Sequence, residues 1–420
     1  MVASSLTIIG LGYVGLPLAQ EACSSGLVVT GLDVSAAVVG QLNEGISHVD
    51  DITDSDVGAM LATGFTATTD ASCIRTSDAV VICVPTPLSD DGTPDLGAVE
   101  SAARTVAGHL TSGTLVVLES TTYPGTTGEF VRPILEEGSG LVAGVDFHLA
   151  YSPERIDPGN QHFGLRNTPK VVGGLTEQCT EVATNFYGEL VDQVVPTVGL
   201  REAELAKLLE NTYRHVNIAL MNEMAVFCHE LGIDLWASIE AAKTKPFGFQ
   251  AFYPGPGVGG HCIPIDPNYL SWVVRSLGHR FRFVELAQEV SEGMPVYVAK
   301  RVQDALNRQQ KAVNGSLVVL VGVSYKADIS DVRETPARPL AIQLQKMGAD
   351  LRYLDPHVPE FQLSDGPITA LKLDDARLEE ADLVVVLQPH TVVLDSGVLD
   401  NASAVLDTSG SLDGQNVERL

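Results

Sequence analysis

The chain has 420 residues, of which 26 are lysine or arginine and 53 are aspartate or glutamate, so its formal charge is −27. Hydrophobic residues make up 45%, enough for well-buried cores, and the length suits two or three domains. Such acidity argues against nucleic acid or an anionic membrane as a partner, because both require a basic footprint.

The charge is unevenly distributed. Residues 1–150 hold three basic and eighteen acidic residues, residues 151–312 hold fifteen and eighteen, and residues 313–420 hold eight and seventeen. The net charges are therefore −15, −3 and −9. An anionic small substrate would need a local basic pocket.

The sequence carries no targeting pattern. Its N-terminus leads straight into an apolar strand pattern, and no apolar run reaches the roughly 18 residues that cross a bilayer. The six cysteines lie far apart, with no C-x-x-C pair. We therefore expect a cytoplasmic protein without a membrane partner.

The first half alternates strand and helix patterns. Continuous apolar runs at 6–9, 28–32, 79–84 and 114–119 are typical of strands that are buried on both faces of a parallel sheet. Helical patterns separate them, which predicts a doubly wound sheet.

The longest predicted helix covers 201–231, a stretch without proline or glycine that would extend about 45 Å. A loop rich in glycine and proline follows at 253–267, and a new strand begins at Leu317. The segment 382–389 echoes 78–85, so we predict an α/β fold with two Rossmann-like domains joined by a long central helix and a helical region. The expected boundaries are 1–200, 201–312 and 313–420.

The first glycine motif indicates dinucleotide binding. Gly10 permits the turn, Gly12 lets the backbone approach a pyrophosphate, and Gly15 allows close helix packing. Tyr13 and Val14 complete the turn, and Asp33 follows the second strand. An aspartate there accepts hydrogen bonds from a ribose 2′-hydroxyl and repels a 2′-phosphate, so NAD is favoured over NADP.

A second motif surrounds Cys262. Four glycines between 255 and 260 suggest a backbone that wraps closely around something, and Asp266 lies four residues beyond the cysteine. The alternatives are a small buried cysteine, or metal ligation with His261, which has no second ligand pair of suitable spacing. We expect no metal.

Lys207 and Asn211 lie four residues apart, hence on one face of the long helix. The alternative is a solvated helix face.

Several segments match a known family in order along the chain. They are Gly10–Pro17, Val84–Pro87, Glu119–Thr126, Tyr151–Arg155, Lys207–Thr212, Gly259–Asp266, Tyr325–Lys326 and Asp331–Glu334. Together they resemble the UDP-glucose/GDP-mannose dehydrogenases. That resemblance implies a four-electron oxidation, in which the C6 hydroxymethyl of a nucleotide-linked hexose becomes a carboxylate and two NAD are reduced.

The resemblance also implies roles for individual residues. Cys262, as a thiolate, attacks the C6 aldehyde to give a thiohemiacetal and then a thioester. Lys207 and Asn211 stabilise the alkoxide, Asp266 with Thr121 and a water handles the first proton, and Glu154 handles the hydrolytic water.

The remaining implied positions bind the cofactor and the UDP-sugar. Thr86 and Thr121 line the nicotinamide side of the cofactor site, Pro85 shapes the strand end there, and Arg333 reaches the NAD phosphates. Glu154, Arg155, Lys207 and Asn211 contact the substrate, as do the loop residues Phe252, Tyr253, Gly255 and Gly259, and Lys326 reaches its phosphates. Family members pair through the central helix, so a homodimer is expected.

Some residues depart from the UDP-glucose branch. Ile265 replaces a lysine, and Arg155 with Pro158 stands in a segment that usually carries a second glutamate. Both resemble the branch that oxidises UDP-N-acetylhexosamines, which places UDP-N-acetylglucosamine ahead of UDP-glucose and UDP-N-acetylmannosamine. Ser409 stands where many relatives have arginine.

Two other classes of function remain as alternatives. A sensor of NAD or a nucleotide sugar would need no nucleophile. A two-electron dehydrogenase of a small hydroxy acid would leave the cysteine loop and the third domain without a role.

Overall fold

The computed structural model describes residues 3–89, 92–157, 160, 162–260, 263 and 265–420. They form two compact units. The first comprises Met1–Glu210 with Asn268–Gly278, and the second comprises Asn211–Pro267 with His279–Leu420. The three-domain division stays a prediction.

The strands and helices are numbered in chain order. The strands are β1 Ser5–Ile9, β2 Val28–Leu32, β3 Thr66–Thr68, β4 Ala79–Ile82, β5 Leu115–Leu118, β6 His148–Tyr151, β7 Lys170–Gly174, β8 Val194–Pro196, β9 Leu317–Val321, β10 Asp350–Leu354, β11 Glu360–Leu363, β12 Gly366–Thr369, β13 Leu383–Val386, β14 Val405–Asp407 and β15 Val417–Arg419. The α-helices are α1 Gly15–Ser24, α2 Ala36–Asn43, α3 Asp54–Ala62, α4 Gly97–Ala107, α5 Arg132–Ser139, α6 Glu177–Tyr187, α7 Leu200–Leu231, α8 Leu235–Lys243, α9 Asp266–Ser276, α10 Arg282–Arg308, α11 Ala337–Lys346 and α12 Thr391–Asp395.

The first unit is built on an eight-stranded sheet in the order β3-β2-β1-β4-β5-β6-β7-β8. Its first six strands are parallel and follow the order of a dinucleotide-binding fold. Strand β7 runs antiparallel to β6. The predicted doubly wound sheet is confirmed.

The second unit contains a five-stranded parallel sheet in the order β10-β9-β13-β14-β15. Strand β9 lies between β10 and β13 as β1 lies between β2 and β4, which confirms the predicted second Rossmann-like sheet. A separate hairpin joins β11 and β12.

Each sheet has a buried core on both faces. In β4, Ala79 and Val81 pack into one core while Val80 and Ile82 pack into the other, and β9 divides its side chains in the same way. This period-2 alternation explains why these strands are apolar at every position.

The long helix α7 begins at Leu200 and ends at Leu231, within one residue of the prediction. The carboxylate of Glu204, near its start, accepts hydrogen bonds from the amides of Gly125 and Thr127 at 2.6 and 2.8 Å. These bonds fix the beginning of the helix to the turn after β5.

Five cysteines lie within the described residues. Cys23, Cys83, Cys179 and Cys228 are buried, Cys73 is half-buried, and none of the five forms a disulfide. Burial raises the pKa of the Cys83 thiol well above its ordinary value, and burial also raises those of Cys23 and Cys73.

Candidate active site

The glycine turn connects β1 to α1. Gly10 has a φ of +90°, a backbone conformation that side chains rarely adopt, and a Cβ on Gly15 would lie 1.9 Å from the carbonyl oxygen of Gly10. A Cβ on Gly12 would meet nothing within 4 Å. Gly10 and Gly15 are therefore required by the chain itself, whereas Gly12 leaves open space at the start of the helix, as close approach of a pyrophosphate requires.

Asp33 lies at the end of β2 beside this turn. Its Oδ2 accepts a hydrogen bond from the amide of Leu11 and its Oδ1 accepts one from the amide of Ser35, both at 2.9 Å. Each carboxylate oxygen retains a lone pair, so the residue both orders the turn and can accept a ribose hydroxyl.

Pro85, Thr86 and Thr121 follow the ends of β4 and β5. These ends are joined by Ser120, whose hydroxyl accepts from the amide of Val84 at 3.0 Å and donates to its carbonyl at 2.8 Å. The carbonyl of Thr86 accepts a hydrogen bond from the Tyr269 hydroxyl at 2.5 Å. The structure thus holds both loops at the carboxyl edge of the sheet.

Lys207 and Glu154 form a buried pair within the first unit. The ammonium Nζ of Lys207 donates to the Glu154 carbonyl at 2.7 Å and lies 3.5 Å from its carboxylate Oε2. The residues are 5% and 8% exposed, and the amide of Ile156 also donates to the Glu154 carboxylate. A solvated helix face is therefore wrong for Lys207.

Arg155 pairs with Glu210 on α7. Its Nη2 and Nε donate to the two carboxylate oxygens at 2.7 and 3.2 Å, and Nη1 donates to the carbonyl of Pro169 at 2.5 Å. Protein groups therefore hold the guanidinium in this structure. The sequence did not predict these contacts.

Asn211 and Asp266 form a second pair, within the second unit. The amide Nδ2 of Asn211 donates to the carboxylate Oδ2 of Asp266 at 2.5 Å, and Asp266 is only 1% exposed. Asp266 is the first residue of α9, a position that favours a negative charge. Cys262 lies outside the described residues, as do His261 and Pro158.

The glycine loop, residues 255–260, packs closely against its own chain. A Cβ on Gly259 would lie 2.7 Å from Cβ of Tyr325, and one on Gly260 would lie 2.8 Å from the Tyr325 ring. The amide of Gly255 donates to Oδ1 of Asn222 at 2.9 Å. Gly259 and Gly260 therefore pack against the loop that follows β9. The sequence could not identify this partner.

Phe252 and Tyr253 both make aromatic contacts in the second unit. Phe252 meets Tyr213 edge-on at 5.7 Å between ring centroids, and Tyr253 stacks on Trp236 at 5.3 Å. The Tyr253 hydroxyl donates to Glu240 at 2.5 Å.

Lys326 and Arg333 flank the segment after β9. Lys326 is half-buried, and the guanidinium of Arg333 is half-exposed and pairs with Asp331, with Nη2 2.6 Å from Oδ2. The carbonyl of Arg333 accepts a hydrogen bond from the amide of Gly260 at 3.1 Å.

Three family models match successive parts of the chain. The NAD binding domain of the UDP-glucose/GDP-mannose dehydrogenase family matches residues 4–191, the central domain matches 201–292, and the UDP binding domain matches 319–417. The chain belongs to the UDP-glucose/GDP-mannose dehydrogenase family.

Similar proteins of the family cover most of the chain. A UDP-N-acetyl-D-mannosamine dehydrogenase from Pyrococcus horikoshii is 36% identical over 84% of each chain. A UDP-N-acetyl-D-glucosamine 6-dehydrogenase from Pseudomonas aeruginosa is 34% identical over 84% of this chain and 83% of the other. A solved structure of a UDP-D-ManNAc dehydrogenase from P. horikoshii superposes with a TM-score of 0.88 at 31% identity, covering 99% and 98% of the two chains.

As a member of this family, the chain is an NAD-dependent dehydrogenase of nucleotide sugars. The first unit supplies the glycine turn that fits NAD, and the match to the UDP binding domain covers most of the parallel sheet of the second unit. Among the described helices, none combines the length and apolar composition needed to cross a membrane.

One family motif contributes a carboxylate to a buried ion pair that the sequence did not predict. Lys170 Nζ lies 3.0 Å from Oε2 of Glu119, both residues are at most 2% exposed, and the Tyr187 hydroxyl donates to Oε1 of Glu119 at 2.5 Å. Glu119 stands inside the motif 119–126, but its partner follows 51 residues later (170 − 119), so no local pattern could reveal the pair.

A histidine cluster follows the strands of the second sheet. Ligand atoms of Asp328, His357 and His390 lie within 4.8 Å of one another. However, Nδ1 of His390 accepts from the amide of Asp328 at 2.9 Å and its Nε2 lies 3.0 Å from Asp355. Both nitrogens of His390 are engaged, so the arrangement is hydrogen-bonded rather than ligating.

Proposed function

We propose that the chain oxidises C6 of a UDP-N-acetylhexosamine to the carboxylate, with UDP-N-acetylglucosamine as the favoured substrate. The observation that carries the proposal is the buried Lys207 ammonium beside Glu154. Burying a charge destabilises the fold, and an apolar side chain would pack there without that cost, so the buried ammonium indicates a chemical role. The N-acetylated sugars in the names of the relatives and the departures at Arg155 and Ile265 support this sugar class.

The overall reaction converts the alcohol R–CH2OH, water and two NAD⁺ to R–COO⁻, two NADH and three protons. NAD, when bound, supplies the hydride acceptor for both oxidations. Asp266 with Thr121 takes up the proton of the alcohol, and Lys207 and Asn211 stabilise negative charge on the C6 oxygen. Cys262 forms the covalent thiohemiacetal and thioester, and Glu154 orients the water that releases the acid.

The binding residues follow the same proposal. Gly10, Gly12, Tyr13, Val14, Gly15 and Asp33 hold the dinucleotide, with Pro85, Thr86 and Arg333. Phe252, Tyr253, Gly255, Gly259, Arg155 and Lys326 hold the UDP-sugar. The domains at 1–200, 201–312 and 313–420 bind NAD, pair two copies and bind the UDP moiety, respectively.

We also propose a homodimer that forms through α7. Six large apolar side chains along this helix are 41–67% exposed in the single chain. Contiguous exposed apolar surface of this kind is typical of a protein–protein interface. The six side chains are Leu205, Leu209, Tyr213, Leu220, Phe227 and Leu231.

The proposed reaction is tested with a panel of UDP-sugars by following NADH and the mass of the product. We expect UDP-N-acetylglucosamine to yield the acid with two NADH per substrate. UDP-N-acetylmannosamine is the second candidate, because the P. horikoshii relative carries that name; UDP-glucose is the third. One NADH per substrate would indicate the two-electron alternative, and binding without turnover would indicate a sensor.

Two variants test the residues. Lys207→Met should lower kcat at least 100-fold, because it removes the charge that stabilises the oxyanion. Arg214→Met, an exposed change on the same helix, is the matched control and should retain activity.

Cys262→Ser should fail to form the acid, and full acid production by this variant would refute the thioester route.

A further inference from the structure

One face of α7 carries a row of buried polar side chains. At 100° per residue, Asn211, His215 and Asn222 fall within about 40° of one another around the helix axis. His215 and Asn222 are completely buried and Asn211 is half-buried. Such a row is unusual, because buried helix faces are normally apolar.

Two hydrogen bonds tie the segment that begins with the glycine loop to this face. Asn222 accepts from the amide of Gly255 at 2.9 Å, and Asn211 donates to Asp266 at 2.5 Å. The two contacts lie on opposite sides of His215 along the helix. His215 therefore lies between a residue proposed to act at C6 and the start of the loop proposed to hold the substrate.

His215 and Asn222 both have unused hydrogen-bonding groups. Within the described part of the chain, neither ring nitrogen of His215 forms a hydrogen bond, and the amide Nδ2 of Asn222 has no acceptor. The buried hydroxyl of Ser291 also has no hydrogen-bond partner among the described residues. Ser291 lies beside the glycine loop, since a Cβ on Gly257 would be 3.3 Å from its carbonyl oxygen. An unpaired buried polar group destabilises the folded state, so a ligand that supplies the missing hydrogen bond would remove this cost.

The chemistry of these groups selects their partner. Burial lowers the pKa of His215 to about 4, so its imidazole is neutral at pH 7 and offers one donor and one acceptor. The Asn222 amide offers a donor. A hexose hydroxyl, an acetamido carbonyl and a phosphate oxygen are all acceptors that suit them.

We infer that His215 and Asn222 bind the portion of the nucleotide sugar that lies between its reacting C6 and its nucleoside. Both side chains donate hydrogen bonds to oxygens of the hexose or the diphosphate. This inference rests on the proposed function, which places C6 at Asn211 and the substrate loop at Gly255. With the hexose as the partner, His215 determines specificity, since hydrogen bonds to a sugar discriminate between substrates more strongly than apolar contacts do; with the diphosphate as the partner, it contributes affinity that all UDP-sugars share.

The test compares His215→Leu with wild type. The affinities for UDP-N-acetylglucosamine, UDP and UMP are measured by calorimetry, and the unfolding temperature is measured without ligand. We expect the leucine variant to bind UDP-N-acetylglucosamine about tenfold more weakly, to bind UMP unchanged, and to unfold at a higher temperature because an unpaired polar group is gone. A loss confined to UDP-N-acetylglucosamine identifies the hexose as the partner, and an equal loss with UDP identifies the diphosphate.

Two further variants separate binding from structure. His215→Gln restores a donor and should recover most of the affinity, while His229→Leu, an exposed histidine on the same helix, should change nothing. Unchanged affinity of His215→Leu for all three probes, or no binding of any probe by wild type, would overturn the inference. Binding of UDP-N-acetylglucosamine that depends on His215 without NADH formation would refute the proposed oxidation alone.

Discussion

Gly12 and Gly15 in the first turn differ in whether the fold leaves room for a side chain. Gly15→Ala should lower the free energy of unfolding by about 2 kcal/mol or more, because its Cβ would overlap the carbonyl of Gly10. Gly12→Ala should leave stability nearly unchanged and weaken NAD binding at least tenfold, because the methyl group would occupy the open space at the helix start. Thermal unfolding and NAD titration of the two variants check this difference. Equal NAD affinity of Gly12→Ala and wild type would contradict it.

His215 also predicts a pH dependence of stability. Its pKa falls from 6.5 to about 4 on folding, so between these values the unfolded chain binds a proton that the folded chain does not. Stability is therefore lost as the pH falls through this window, by about 2 kcal/mol at pH 5 for this residue. The measurement is chemical unfolding of wild type and His215→Leu at pH 7 and pH 5. The difference between the proteins should change by that amount, and a constant difference would exclude the effect.

The structure buries or half-buries several residues to which the sequence assigned chemistry, but the sequence did not predict the groups that they contact. Lys207, Asn211 and Asp266 follow from helical spacing and motif, and the structure buries or half-buries all three. The carbonyl of Glu154 that binds Lys207, and Glu210 that binds Arg155, come from distant positions in the chain. Such pairs depend on the tertiary fold, which local patterns do not encode.

At the scale of elements, apolar runs predicted β1, β2, β4, β5 and β9, and the echo of 78–85 predicted β13. Apart from the exposed start of β2, these strands are largely buried on both faces, which explains their apolar composition. Strands β7 and β8 were not predicted. Strand β8 is short and only partly buried, and β7 joins the sheet antiparallel, so neither follows the repeated strand and helix pattern. The close packing of the glycine loop on Tyr325 was also beyond prediction, because the partner lies in another element.

The buried pair between β5 and β7 makes a prediction about sheet stability. Lys170→Met should lower the free energy of unfolding by about 3–5 kcal/mol, because Glu119 would remain buried without a counter-charge. Arg104→Met removes an exposed ion pair with Glu100 and should change it by less than about 1 kcal/mol. Denaturant unfolding of both variants provides the comparison. A small effect of Lys170→Met would mean that Glu119 becomes protonated or reaches water.

At the scale of the whole molecule, the proposed dimer can be tested through the exposed face of α7. Leu209→Glu and Leu220→Glu each place a charge on a side chain that is 62% or 48% exposed in the single chain. Both variants should remain folded and convert a dimer to a monomer, because burying an unpaired carboxylate at an interface is costly. Light scattering coupled to gel filtration measures the mass. Val28→Glu, an exposed change in β2 outside α7, is the control. A monomeric wild type would refute the pairing.

The cysteines determine how the native molecule responds to alkylating reagents. A thiol reacts as its thiolate, so burial and a raised pKa protect Cys83 and Cys23, and Cys179 and Cys228 are shielded by the surrounding side chains. Rapid labelling by iodoacetamide should therefore fall on Cys262 if that residue is an active thiolate, with Cys73 reacting more slowly. Peptide mass mapping after a short exposure would locate the label. If Cys262 is labelled first, as the proposed thiolate predicts, its alkylation would report substrate occupancy without an engineered cysteine.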